Sequence, residues 1–162
     1  MSKLFVVATP IGNLSDISKR ALEVLETVDY ILAEDTRHTI KLLNYYDIKT
    51  KMMAYHKFNE KKKTFEIIDM MKEKELNVAL VTDAGTPCIS DPGYMIVKAA
   101  HENEIEVLGV PGASAVITSL SIAGFDTQSF SFFGFIPREN KEVEKFYKDI
   151  KESNTLAVVV YE

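Results

Sequence analysis

Three short segments of this chain combine glycine, proline and small hydroxyl residues in a way suited to holding a ligand by main-chain groups. They are Thr9-Pro10-Ile11-Gly12-Asn13-Leu14-Ser15-Asp16, Thr82-Asp83-Ala84-Gly85-Thr86-Pro87-Cys88-Ile89-Ser90-Asp91-Pro92-Gly93 and Pro111-Gly112-Ala113-Ser114-Ala115. Glycine lets a backbone approach a ligand closely, and proline fixes the shape of a loop. One such segment reads as a plain tight turn. Three at the same sheet edge read as a site. None contains Lys or Arg, which a polyphosphate would call for. Neither GxGxxG nor GxxxxGK followed by Ser or Thr occurs, so dinucleotide and P-loop chemistry have no support. The expected ligand is near-neutral or cationic, held by backbone groups and an acid such as Asp83.

A fourth segment, Ala33-Glu34-Asp35-Thr36-Arg37-His38, sets two acids and a base after another apolar run. Asp35 is a candidate proton acceptor, and Arg37 a candidate to orient that acid or fix a phosphate. The same residues also fit a helix start, with Asp35 or Thr36 as cap and Arg37 in solvent. Asp16 carries the same two readings. His56 and His101 have no Cys or acid at metal-ligand spacing, so no metal is expected. Cys88 is the single cysteine, which excludes an internal disulfide, and it has no evident His partner for nucleophilic work. Lys61-Lys62-Lys63 reads as a solvated helix start, and the Phe-rich run 130–135 as core rather than a base-stacking platform.

The elements that must position these segments alternate. Leu4–Ala8, Tyr30–Ala33, Met52–Tyr55, Val78–Thr82 and Glu106–Val110 are short apolar runs that read as strands. Between them lie helix-period segments: Ile17 to Val28; Thr36–Tyr46 with Ile40, Leu42 and Leu43 inward; Lys62–Lys74 with Phe65, Ile68 and Met71 on one face; and Tyr94–Asn103. Ser114–Ala123 follows as a helix, with Ser114 as its cap and Gly124 as its stop. Five such units predict an α/β fold: a five-stranded, mainly parallel sheet with helices on both faces and right-handed crossovers. The first domain is expected over 1–124.

From 125 the character changes. Ser129–Phe135 alternates Ser and Phe, Lys141–Glu152 is an amphipathic helix with Val143, Phe146, Tyr147 and Ile150 on one stripe, and Thr155–Tyr161 is a strand. Two strands and one helix do not close a core alone. Residues 125–162 therefore read as a linker and the beginning of a second α/β domain, left incomplete.

Composition bounds the function. The chain has 162 residues, 46% hydrophobic and 27% charged, which is ordinary for a globular protein of about one domain. Nineteen Lys and Arg against 24 Asp and Glu give a net charge of −5, which excludes a strongly basic protein that holds nucleic acid by bulk attraction to phosphate. The longest apolar runs, Leu156–Val160 and Leu4–Ala8, fall far below the roughly 18 residues of a membrane span. The first residues lack a signal-peptide cleavage pattern, so a cytoplasmic protein is expected.

Taken together, and with Gly134-Phe135-Ile136-Pro137-Arg138, these segments resemble the tetrapyrrole methylase superfamily, S-adenosylmethionine methyltransferases with two α/β domains and a cleft between them. The long DAGTP…SDPG loop and the AEDTR string are similar to the branch that methylates a cytidine ribose 2′-hydroxyl in 16S rRNA of the small ribosomal subunit. That resemblance implies S-adenosyl-L-methionine as cofactor, lined by Pro10, Ile11 and Gly12, by Asp83, Ala84, Gly85 and Thr86, and by Ser114 and Ala115. It implies Asp35 and Arg37 at the acceptor ribose, in-line methyl transfer, and a homodimer. It also implies that the family's sequence continues beyond Glu162, so the chain reads as C-terminally truncated. The alternatives are a relative acting on a tetrapyrrole or other small acceptor, a flavodoxin-like binding module without chemistry, and a non-catalytic dimerising fragment.

Overall fold

The computed structural model describes residues 2–162. Five strands, β1 (Lys3–Val7), β2 (Tyr30–Ala33), β3 (Lys51–Ala54), β4 (Val78–Val81) and β5 (Glu106–Val110), form one sheet in the order β3-β2-β4-β1-β5. Every pairing is parallel. Helices α1 (Lys19–Thr27), α2 (Thr36–Tyr45), α3 (Glu60–Lys74) and α4 (Tyr94–Glu102) make the crossovers, and a short 3-10 turn, Leu14–Asp16, precedes α1.

The period-2 pleat divides the core in two. Leu32, Val78 and Leu80 pack with Ile67, Ile68 and Met71 of α3 and Ile96 and Ala100 of α4. Ile31, Ala33, Ala79 and Val81 pack on the other face with Ala21 and Leu25 of α1 and Leu43 of α2. All four residues of β4 are buried, as its central place between two helix layers requires.

Helix phase differs from expectation at two residues of α2 and α3. The inward stripe of α2 runs Thr39, Leu42, Leu43, and that of α3 runs Thr64, Ile67, Ile68, Met71. Both stripes keep helical spacing but begin on a threonine. Ile40 and Phe65 are consequently exposed rather than inward. Thr64 is satisfied inside by the Tyr55 hydroxyl at 2.8 Å.

By compactness the chain divides into residues 1–114 and 115–162. The division falls earlier than the boundary expected after residue 124, because α5 (Ala115–Ser121) packs Val116 and Leu120 with Ala157, Phe132, Val159 and Tyr161. This second unit also holds β6 (Phe130–Phe135), α6 (Asn140–Glu152) and β7 (Ala157–Tyr161), with β6 and β7 paired in parallel. Of the α6 stripe only Phe146 is buried; Tyr147 is exposed.

Candidate active site at the carboxyl edge of the sheet

Because all five strands run the same way, the segments that follow them emerge on one edge. Those after β1 and β2 lead to helices on one face, and the one after β4 leads to α4 on the other. Their divergence opens a crevice at the tip of β4, where parallel α/β sheets bind ligands.

The three glycine–proline segments are tied into one surface there. Thr9 and Gly85 exchange two main-chain hydrogen bonds, Thr9 N to Gly85 O at 2.9 Å and Gly85 N to Thr9 O at 3.1 Å. Gly85 can do this at φ +87, a value L side chains rarely adopt. The Thr9 hydroxyl donates to the Thr82 carbonyl at 3.0 Å. The third segment joins through the Ala8 amide, donating to the Val110 carbonyl at 3.3 Å, and through the Thr86 hydroxyl, donating to the Ala113 carbonyl at 3.3 Å.

Among the residues assigned from sequence, Pro10 is buried in the crevice wall with Asp83, which is half-buried. Ile11 lies against Gly85, while Gly12 and Ala84 are exposed. Thr86 and Ser114 are half-buried. Ala115 is the first residue of α5 and belongs to the second unit. The crevice is open to solvent and is completed by Thr9, Leu14, His38, Thr39, Leu42 and Thr82. Its enclosed volume, about 40 Å³, is far below the roughly 300–1,000 Å³ of pockets that enclose whole ligands, so it admits one edge of a ligand.

Asp35 and Arg37 adjoin this crevice. The Asp35 amide donates to Asp83 Oδ1 at 3.2 Å. The Asp35 carboxylate caps α2, accepting from the Arg37 amide at 2.8 Å, and also accepts a two-pronged grip from the Arg37 guanidinium, Nε at 3.0 Å and Nη2 at 2.7 Å. The cap and the charged pair, which read as competing explanations in the sequence, coexist. Those hydrogen bonds hold the Asp35 carboxyl well below the usual carboxylate range, and the same pairing raises Arg37. A carboxylate held in this way is a weak proton acceptor.

Two acids to which the sequence alone gives no role complete the edge. Glu34 Oε2 accepts from the Thr82 hydroxyl at 2.7 Å. Asp91 is pushed up to about 6, first by burial and then by the Glu34 and Asp83 carboxylates. Its place within the Ser90-Asp91-Pro92-Gly93 run concealed it as loop punctuation. Burial likewise pushes the Cys88 thiol up to about 11, with Asp91 and Glu60 adding to the effect, so it stays protonated and is no nucleophile. Among the described residues no group of three or more His, Cys, Asp or Glu is placed to hold a metal ion.

The raised Asp91 makes a prediction for stability. Between pH 3.8, its ordinary value, and about 6 the folded protein holds a proton that the unfolded chain has released, so acidification through that window favours the folded state. Asp91→Asn is expected to raise Tm by about 2 °C at pH 7.5, with the gain gone at pH 4. Thermal melts at the two pH values check this; an equal difference at both contradicts it.

A sequence model of the family described as "Tetrapyrrole (Corrin/Porphyrin) Methylases" matches residues 3–162. The chain is 45% identical over 159 residues to "Ribosomal RNA small subunit methyltransferase I" of Halalkalibacterium halodurans, covering 98% of this chain and 54% of that protein. It is 47% identical over 158 residues to the protein of the same name from Thermotoga maritima, covering 98% and 70%. The chain spans about half the length of most curated relatives it matches. A solved diphthine synthase superposes with a TM-score of 0.70 at 15% identity, over 99% of this chain and 64% of that one, which shows the shared fold.

Proposed function

This chain belongs to the tetrapyrrole (corrin/porphyrin) methylase family, and on that premise we propose that it is an S-adenosylmethionine-dependent methyltransferase acting on a cytidine ribose 2′-hydroxyl of 16S rRNA in the small ribosomal subunit. The observation that carries the reading is the Thr9–Gly85 bridge, which joins the first two loops where main-chain groups can meet a ligand. Glu34, Asp83 and Asp91 supply negative charge there, and the three loops contain no Lys or Arg. That set suits a cation and disfavours a polyphosphate. The names of the curated relatives support RNA as the substrate class.

The cofactor supplies an electrophilic methyl group on a sulfonium. The chain's residues have to align the acceptor with it, at about 3–3.5 Å between reacting atoms. Pro10, Ile11 and Gly12, Asp83 to Thr86, and Ser114 with Ala115 are assigned to the cofactor. Asp35 and Arg37 are assigned to the acceptor as a unit: Asp35 aims the guanidinium, and the guanidinium faces the phosphodiester. Held ionised by Arg37, Asp35 is the weaker base, and Asp91, which burial pushes up to about 6, is the stronger of the two.

Asp35→Asn is expected to keep the helix cap, release Arg37 and lower turnover at least tenfold, with the S-adenosylhomocysteine Kd within about twofold. Methyl transfer to small ribosomal subunits and calorimetry check the two halves; unchanged turnover removes Asp35 from the site. Titration of the chain with S-adenosylhomocysteine, and methyl transfer to subunits against tetrapyrrole precursors, tests the proposal as a whole. No binding overturns it, and transfer to the tetrapyrrole alone selects the small-acceptor reading.

No helix among the described residues is long and apolar enough to cross a membrane. A ribosomal substrate places the reaction in the cytoplasm. Phe130, Phe135, Leu156 and Val158 of the second unit expose apolar surface, which supports a homodimer, testable by light scattering.

A further inference from the structure

Thr39, in the second turn of α2, is 3% exposed, and its Oγ1 has no hydrogen-bond partner. A helical threonine hydroxyl commonly turns back to the carbonyl four residues earlier. Here the Asp35 carbonyl accepts from the Thr39 amide at 3.0 Å, and the hydroxyl does not join it. A buried, unpaired hydroxyl is unfavourable beside a valine of the same shape. The other threonine at the head of a helix stripe, Thr64, is paired. Thr39 instead lines the crevice at the tip of β4.

The remaining polar groups of that crevice are largely engaged. The Thr9 hydroxyl donates to the Thr82 carbonyl, and the Thr82 hydroxyl to Glu34. Asp83 accepts from the Asp35 amide through Oδ1 and presents a carboxylate to the cavity. Pro10, Leu14 and Leu42 supply apolar walls. An unused hydroxyl and a carboxylate between apolar walls match a sugar: a neutral ring with hydroxyls at its edge. On the same helix turn, His38 lines the crevice and the Arg37 guanidinium is exposed beside it, a cation within reach of a phosphate flanking that sugar. The cofactor loops offer no such cation.

We propose that Thr39 Oγ1 hydrogen-bonds a ribose hydroxyl of the acceptor nucleotide, whose hydroxyl edge enters between Pro10, Leu14 and Leu42 with Asp83 facing it. The proposal rests on the methyltransferase reading above and makes Pro10 and Asp83, assigned there to the cofactor, the boundary between the two substrates.

The test uses the chain with ¹³C-labelled threonine and leucine methyls, titrated separately with cytidine and with S-adenosylhomocysteine. Cytidine is expected to shift the Thr39 and Leu42 methyl resonances, and S-adenosylhomocysteine to leave Thr39 in place. Thr39→Val is expected to weaken cytidine binding about tenfold, while Thr39→Ser stays within about twofold of the parent and both variants keep the parent's S-adenosylhomocysteine affinity. A merely structural role would not produce that Ser rescue confined to one ligand. Movement of Thr39 by S-adenosylhomocysteine and not by cytidine overturns the assignment, as does unchanged cytidine affinity in Thr39→Val. Absence of any S-adenosylhomocysteine response overturns the methyltransferase reading instead, and the cytidine arm remains readable by itself.

Discussion

Gly93→Val is expected to lower the melting temperature by roughly 10 °C and to remove binding of S-adenosylhomocysteine at temperatures where the parent binds. Gly93 is buried and has φ +133, a conformation L side chains rarely adopt. A Cβ there would lie 2.7 Å from Cys88 Sγ and 2.7 Å from Leu80 Cδ2. Leu80 is 1% exposed, inside the core cluster formed with α3 and α4, and moves only by displacing that cluster. Backbone strain of about 1–3 kcal/mol and overpacking of about 1–3 kcal/mol add to about 2–6 kcal/mol, a large part of the stability of a domain of this size. The Gly93 amide also donates to Glu60 Oε2 at 3.3 Å, so the start of α3 moves with the loop. Differential scanning calorimetry measures the loss; a change under about 3 °C contradicts the argument.

Gly85→Val is expected to act differently. The space is there: its Cβ would meet Ile11 Cγ2 at 3.5 Å and the Ala113 carbonyl at 3.9 Å, both ordinary contacts. The difficulty is φ +87. A β-branched residue is strained there by about 1–3 kcal/mol, relieved when the Thr9 bridge opens. The first and second loops then separate, and the S-adenosylhomocysteine Kd is expected to rise about a hundredfold, with a fall in Tm smaller than that of Gly93→Val. Calorimetry on the variant decides it. Parent-like affinity shows that the cofactor lies elsewhere.

The strands were legible because a two-sided sheet demands continuous apolar runs: Tyr30–Ala33 and Glu106–Val110 stand in the structure with the bounds their composition predicts. The convergence of the three loops followed, since parallel strands deliver their carboxyl ends to one edge. The strand order, with β4 inserted between β1 and β2, depends on long-range pairing that no local pattern encodes. Helix phase was misread where a polar residue heads the buried stripe, because Phe65 and Ile40 are more apolar than Thr64 and Thr39 yet face outward. The grip of Arg37 on Asp35 is one of two roles the sequence allows Arg37, since spacing alone lets the side chains part. Asp91 was missed because its neighbours Glu34 and Asp83 are 57 and 8 positions away along the chain, brought together only by the sheet.

The Thr9–Gly85 bridge also determines which experiments will be informative. Where the recognising atoms belong to peptide groups, replacing neighbouring side chains leaves them in place. Ile11→Ala would therefore leave binding nearly unchanged although the side chain lies against Gly85. Amide-to-ester replacement at Thr9 or Gly85, which deletes one N–H of the bridge and leaves every side chain intact, would test the bridge directly.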